Sequence, residues 1–321
     1  MKEKADSAVV FTDADATRKK PFKPRRKFKA EAIIGLCGAL FPLVGFVLFN
    51  VFPIALSFGA MFCDVEYGQI DTMVWNNFAN FSAAFTDQRF LHSIGITLWL
   101  ATAQFVSLGI ALFIAFLLSK KTFGSRVFQI LYFIPYVCSS VAVGIMWMTV
   151  FSHNGILNQI FNNDINYLNN PDDTSTLTWA IFISIVWQSP GYGIVMYKAA
   201  FAAVNPVLYE AAKIDGANEW KQFVHITLPG IAPTTFFLMM AGIGAGLTMF
   251  DAAKLMAPAG WDGLAGLDDM GLTVSYYIYI RTYTYLDMTK ASVMSWALFA
   301  VAFALQLIVY KVRNRRMKDE Y

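Results

Sequence analysis

The amino-acid sequence predicts an all-α integral membrane protein. It should have six transmembrane helices, a polar two-helix insert between the fourth and fifth, and both termini in the cytoplasm. The 321-residue chain is 57% hydrophobic and only 15% charged, with 29 Phe and 8 Trp, whereas soluble domains average about 25% charged residues. The charges are missing from a few long runs of about 20 residues, the length an α-helix needs to cross a bilayer. The basic residues that remain gather in alternate loops, the pattern that orients a multi-pass chain.

A basic tail, residues 1–30, comes first and carries Arg18, Lys19, Lys20, Lys23, Arg25, Arg26, Lys27 and Lys29. It reads as a topology determinant touching anionic headgroups rather than as a nucleic-acid arm. The transmembrane domain is expected over 31–316, with spans near 32–62, 93–118, 127–151, 178–203, 230–250 and 289–311, and a short tail over 317–321. The first span follows the basic tail, outruns a 7–15-residue signal-peptide core and shows no clear cleavage site, so it reads as a retained helix. The second, "SIGITLWLATAQFVSLGIALFIAFLLS", and the sixth, "ASVMSWALFAVAFALQLIVY", are the most uniform. Others are broken by Pro or Gly, as in "YFIPYVCSS" and "VWQSPGYG". Such breaks survive in a membrane only when buried in protein or facing a wet cavity, so they mark either a solute path or a packing kink.

The loop between spans two and three holds Lys120, Lys121 and Arg126, and after span six come Lys311, Arg313, Arg315, Arg316 and Lys318. By contrast, 63–92 carries Asp64, Glu66, Asp71 and Asp87 against Arg89 alone, and 152–177 carries Asp164, Asp172 and Asp173 with no Lys or Arg. Both termini and the even loops are therefore expected inside, including the insert "YEAAKIDGANEWKQFVHITLP" at 209–229.

Several chemistries find no footing. Cys37, Cys63 and Cys138 have no paired spacing and read as small apolar residues. His92, His153 and His225 are scattered, so no metal constellation is visible. No GxxxxGK[ST] phosphate loop and no GxSxG elbow occurs. If ATP is used, another chain binds it, and this chain is read as no enzyme, with no cofactor or metal of its own.

The insert parses as two short helices. Asn205-Pro206 supplies an N-cap and a first-turn proline. Val207, Leu208, Ala211, Ala212 and Ile214 give an apolar stripe at helical spacing. Asp215-Gly216 stops that helix, a second starts near Asn218 through "EWKQFVHI", and Leu228-Pro229 restarts the chain into span five. A polar helix pair with an apolar stripe suits docking into a groove of a partner protein.

Glu210-Ala211-Ala212, three residues, Gly216, nine residues, then Ile226-x-Leu228-Pro229 resembles the EAA coupling loop of binding-protein-dependent ABC importer permeases. The resemblance extends over roughly 30–316. "VLYEAAKIDGA", "NEWKQFVHITLPGIAPT", "DQRFLHSIGITL", "FQILYFIPYVCSSVAVGIMWMTVF" followed by "NGILN", and "YYIYIRTY" look like the carbohydrate branch, nearest the maltose-type and glycerol-phosphate-type first permease. The resemblance implies a second, different permease, a cytoplasmic ABC ATPase dimer holding ATP and Mg, an extracytoplasmic solute-binding protein, and a bacterial-type cytoplasmic membrane. It implies that Glu210 faces a basic residue of the ATPase, that Gly216 makes an elbow, and that Ala211, Ala212 and Asp215 shape the docking helix. The chain departs from the family where a "GGGP" turn is usual after span five, reading "MAPAGWDGLAGLDDMG" instead, and it lacks the large periplasmic domain and extra N-terminal spans of some maltose-type members.

Sugars suit aromatic faces with amide and hydroxyl groups. Candidate path residues are Tyr136 and Ser140 after Pro135, then Trp187, Gln188 and Tyr192 around Pro190, then Thr248, Met249 and Asp251 at the end of span five; the plain alternative is that they pack or cap helix ends. Asp251 and Lys254, three apart, could pair. The spans look poor in Arg and Lys, which favours a neutral glycan over a glycerol-phosphate-like or other polar solute. A secondary transporter without an ATPase is the rival class, and it leaves the insert's spacing unexplained.

Overall fold

The structure, a computed structural model, describes residues 27–65, 72–119, 124–258 and 263–319, with side chains omitted at 27–31 and 316–319. Arg18, Lys19, Lys20, Lys23, Arg25, Arg26, Glu66, Asp71, Lys120 and Lys121 lie outside the described residues, as do the side chains of Lys27, Lys29, Arg316 and Lys318. The chain divides into two units, residues 1–55 and 56–321.

In the first unit α1 runs Lys27–Phe46 and passes through a π turn, Val47–Val51, into α2 (Phe52–Ala60), whose residues from Leu56 on belong to the second unit. Pro53 explains the wide turn, because it cannot donate to Phe49 and its ring crowds that carbonyl. The apolar side chains here are exposed, Phe41 at 85%, as suits a helix whose solvent is lipid.

After the end of α2 the second unit has a short antiparallel pair, β1 (Cys63–Asp64) on β2 (Val74–Trp75), and a short helix α3 (Ala79–Phe85). The other regular elements among the described residues are helices. The central element is α4 (Gln88–Ser119), which touches α8 (Ser175–Gln188), α9 (Pro190–Ala203), α13 (Ala232–Leu247) and α15 (Val274–Tyr283). Its buried face is rich in small residues, among them Ser93, Ala101, Ala103, Ser107, Ala111 and Ala115. Small residues let helix backbones approach closely, which is how membrane helices gain packing energy without a hydrophobic driving force. At Gly246 of α13 an added Cβ would sit 3.0 Å from Ala101 Cα, so the closeness of that crossing favours glycine. A core of Phe90, Leu100, Ile181, Leu272, Tyr277, Ile280 and Met294 closes the end nearest Gln88.

Among the described residues, six helical runs are long and apolar enough to cross a membrane: Ala32–Ala60, Gln88–Ser119, Ser140–Phe161, Ser175–Ala203, Ala232–Met256 and Met288–Arg315. Five follow the sequence reading. The third differs. The expected span 127–151 is two helices, α5 (Ser125–Val137) and α6 (Ser140–Phe151), parted where Cys138 and Ser139 turn extended at ψ 147° and 130°. Pro135 has already removed one hydrogen bond from the last turn of α5. After α6 comes a short α7 (Ile156–Phe161). In the fourth run, by contrast, Ser189 keeps helical angles and α8 passes almost straight into α9 at Pro190. The remaining elements are α10 (Pro206–Ile214), α11 (Glu219–Gln222), α12 (Leu228–Gly230), α14 (Asp251–Met256) and α16 (Met288–Asp319).

Candidate functional site

Two features stand out, a rigid elbow at 205–229 and a cavity among the spans. The elbow is built locally. The Asn205 side chain accepts from the Val207 N–H at 3.0 Å with Pro206 at the first helical position, so α10 is capped as its sequence predicts. At the other end Ala217 N–H donates to the Ala212 carbonyl at 2.9 Å and Gly216 N–H to the Lys213 carbonyl at 3.1 Å. That is a Schellman cap, and Gly216 takes its left-handed position at φ +74°. Asn218 then caps α11 through the Lys221 N–H at 2.9 Å.

The second helix does not stop at Leu228-Pro229. It continues through a π turn, Phe223–Thr227, and through α12, and the chain breaks only at Ile231 (φ −96°, ψ 2°). Pro229 follows its π turn by two residues, as Pro53 does, and for the same reason.

Tyr209 and Thr227 share a hydroxyl–hydroxyl bond of 2.9 Å, and Gln222 donates to the Ala217 carbonyl at 2.7 Å, so the two arms are fixed to each other. Phe223 is buried against Phe116 near the end of α4, with ring centroids 4.4 Å apart. What remains outward is apolar as well as polar: Ile214 is 87% exposed, Trp220 65% and Val207 61%. Glu210, Ala211, Asp215 and Gly216 are exposed too, and Ala212 is half-buried.

The cavity, about 240 Å³, lies between α4, α5, α9 and α13. Tyr136 and Tyr192 both line it, their rings stacked at 5.5 Å and 24°. Gly191 makes that possible, since a Cβ there would lie 2.7 Å from the Tyr132 carbonyl and 2.9 Å from Tyr136 Cβ. Gln104, Ser107 and Ser189 supply further polar groups that the sequence reading did not single out.

The other predicted path residues do not line this cavity. Trp187 borders a separate space with Trp147, Tyr132 and Pro135, while Gln188 is half-buried and Ser140 exposed. Thr248 turns its hydroxyl back onto the Gly244 carbonyl at 2.9 Å. Met249 packs on the main core, and its carbonyl accepts from the Thr273 hydroxyl at 3.0 Å. Asp251 is exposed at the start of α14. Its suggested pairing with Lys254 is not formed. The Lys254 ammonium instead sits 3.9 Å above the Tyr279 ring, where a cation gains from the aromatic face.

A family model described as "Binding-protein-dependent transport system inner membrane component" matches residues 107–318. The chain belongs to this family. It is 31% identical over 281 residues to the probable ABC transporter permease protein YesP of Bacillus subtilis, covering 85% of this chain and 87% of that one. It is 26% identical to the lactose transport system permease protein LacF of Rhizobium radiobacter, covering 87% and 95%. Its fold matches a chain in the crystal structure of a bacterial ABC transporter involved in the import of alginate, with a TM-score of 0.71 at 23% identity, covering 90% and 99%.

At the end of α4 away from the elbow, this permease carries an ionic network that sequence reading missed. Arg89 grips Asp269 with two donors, at 2.6 and 2.8 Å, and the Gly263 carbonyl at 2.7 Å, pinning the segment that stands where the family's glycine-rich turn is usual. Residues 259–262 of that segment lie outside the described residues. Nearby, Asp87 accepts from Tyr277 at 2.7 Å and from Arg281 at 2.5 Å. Burial alone would raise the Asp87 carboxyl, but these donors hold it below the usual carboxylate range. Burial and the neighbouring carboxylate push the Tyr277 hydroxyl up to about 12. Arg89 and Phe116 are 27 positions apart on one helix, so the network and the elbow stand about 40 Å apart.

Proposed function

We propose that this permease is one membrane half of an ATP-driven importer for a neutral sugar or oligosaccharide. A second, different permease completes the path, an extracytoplasmic binding protein delivers the cargo, and a cytoplasmic ABC ATPase dimer, holding ATP and Mg, docks on the 205–229 elbow. The observation that carries this reading is the elbow itself. A Schellman-capped helix pair, cross-linked by Tyr209–Thr227 and seated on α4 through Phe223, presents Ile214 and Trp220 outward. A rigid lever with an exposed apolar tip suits transmission of a partner's motion into the spans. Alternating access then needs only that ATPase closure favour one of two arrangements of the spans.

The cargo class is supported by the cavity and by the relatives. Tyr136, Tyr192, Gln104, Ser107 and Ser189 offer ring faces and uncharged polar groups, the chemistry of a sugar with its C–H faces and hydroxyls. LacF and the arabinooligosaccharides permease AraP of Bacillus subtilis, 26% identical over 277 residues, bear sugar names. Relatives named for sn-glycerol-3-phosphate also match, at 26% over 244 residues. That cavity has no Lys or Arg to receive a phosphate, which favours the sugar.

The test is gentle-detergent purification of the tagged chain from its native cells, with every stably associated protein identified. Recovery of a second permease with the same Glu-Ala-Ala…Gly spacing and of an ATPase with a phosphate loop is expected. Repeated recovery of the chain alone, or as a homodimer, would sink the reading.

A further inference from the structure

Between α14 and α15, residues 263–273 form no element longer than the single 3-10 turn Leu267–Asp269. Yet Gly263, Ala265, Asp269, Gly271, Leu272 and Thr273 are all buried. Connecting segments normally stay at the surface, because their backbone groups need partners. Here the partners come from three spans. Thr178 of α8 donates its hydroxyl to the Met270 carbonyl at 2.7 Å, and Thr97 of α4 accepts from the Val274 N–H at 2.8 Å. The Thr273 hydroxyl donates to the carbonyl of Met249, just past α13, at 3.0 Å. Gly271 lies too close to Ala257 to carry a side chain. The segment thus crosses the ends of α4, α8 and α13 and is bonded to each.

Its shape is not one that the chain adopts for local reasons. Asp268 and Asp269 stand at φ 52° and 55°, two consecutive non-glycine residues in the left-handed region that disfavours them. What holds the turn is the Asp269 carboxylate. It accepts two bonds from Arg89 and one from the Ala265 N–H at 2.9 Å, while Arg89 also reaches the Gly263 carbonyl. One ion pair therefore fastens both ends of the turn to α4. Opening it would strand the Asp269 charge, only 8% exposed at its side chain, without its partner. The same helix seats the elbow at its far end through Phe116 and Phe223.

We infer that Arg89 and Asp269 are positioning residues for transport. Their ion pair keeps 263–273 shut as a clasp over the ends of α4, α8 and α13, and it stays shut throughout the cycle. When the elbow is displaced, those three ends travel together and do not splay apart. The clasp stands in the place of the family's usual glycine-rich turn, so it is a device of this chain's own sequence. The inference rests on the importer reading for its transport readout.

The test uses the importer assembled with its second permease and ATPase in proteoliposomes. Cys37, Cys63 and Cys138 are first replaced by alanine, and Arg89→Cys and Asp269→Cys are then introduced together. Uptake per ATP hydrolysed should fall about tenfold, as a charged hydrogen-bonded pair is lost. A short bis-methanethiosulfonate joining the two thiols should restore most of it, and a reductant should remove it again. Restoration after assembly also shows that the chain was folded. A link that lowers uptake would mean that the clasp must open in each cycle, and would overturn the inference. Native uptake without the link overturns it as well, as does low uptake that the link does not raise. Arg89→Gln supplies an arm that needs no cargo: hydrogen–deuterium exchange should quicken over 263–273 and stay unchanged over 205–229. Unchanged exchange over 263–273 sinks the clasp. Uptake by the native importer is measured alongside, and its absence would count against the importer reading and leave the exchange arm to decide the clasp.

Discussion

At the residue scale, single side chains hold this permease's backbone where local sequence alone would leave it free. Gly216 has open space around it, with nothing within 4 Å of an added Cβ, so its role is backbone conformation and not fit. A β-carbon at φ +74° costs ~1–2 kcal/mol. Gly216→Val should therefore weaken coupling of ATP hydrolysis to uptake several-fold, whereas Gly216→Asn, which tolerates the left-handed region, should retain most of it. Uptake per ATP hydrolysed in proteoliposomes reads the difference.

Asp87 gives a second residue-scale prediction. Arg281→Gln removes one of the two side-chain donors that hold this half-buried carboxylate, and losing a hydrogen bond between charged groups costs about 1.5–3 kcal/mol. The carboxyl is depressed in the folded state, so its contribution is present above the unfolded value of about 3.9 and fades as pH falls through the lower, folded value. Tyr277 runs the other way: its contribution is complete below about 10 and is lost only as pH climbs toward about 12. Thermal melts from pH 6 down to pH 3 should show a steeper acid loss for the native chain than for Asp87→Asn. Parallel curves would remove Asp87 from that role.

At the scale of elements, caps and breakers were legible and long-range seats were not. Asn205, Gly216 and Asn218 act within a few residues of themselves, and the structure places each cap where the spacing predicts. The prolines were legible in type but not in consequence. Pro53 and Pro229 widen a preceding turn into a π turn, Pro190 leaves a nearly straight helix, and Pro135 precedes a full break. Which of these follows depends on what packs beside the freed carbonyl. The elbow also carries a prediction at this scale. Ile214→Asp changes an exposed side chain, so the melting of the isolated permease should shift by no more than ~0.5 kcal/mol. Association with the ATPase should fall at least tenfold, as a charge enters an apolar contact. Size-exclusion co-elution measures it, and unimpaired co-elution would move the contact off this stripe.

At the scale of the whole molecule, α4 joins the elbow at one end to the ionic network at the other, with the tyrosine-lined cavity between them. A displacement of the elbow thus has a continuous helix along which to reach the cavity, which is the connection an importer needs. Tyr136→Ala and Tyr192→Ala should each raise the KM for sugar uptake by about tenfold with little change in basal ATPase rate, since each removes one face of a stacked pair. Unchanged KM in both would take the pair out of the path. Trp187 and Asp251, away from this cavity, should have smaller effects on KM.

The sequence by itself determined the all-helical, six-span character, the caps of the elbow and the family. Each rests on composition or on spacing within a few residues, and the energy of moving a charge-free 20-residue run into lipid is a sum that needs no knowledge of its neighbours. Tertiary structure alone decided that Arg89 meets Asp269 across 180 residues, that Arg281 meets Asp87 across 194, and that Lys198 meets Gln129 across 69. It also decided that Tyr136 and Tyr192 face one cavity while Trp187 faces another. Those pairings follow from how closely the helices cross. The crossings are set by single small residues, Gly191 against Tyr132, Gly193 against Ala111 and Gly246 against Ala101, whose effect appears only when both surfaces are in place.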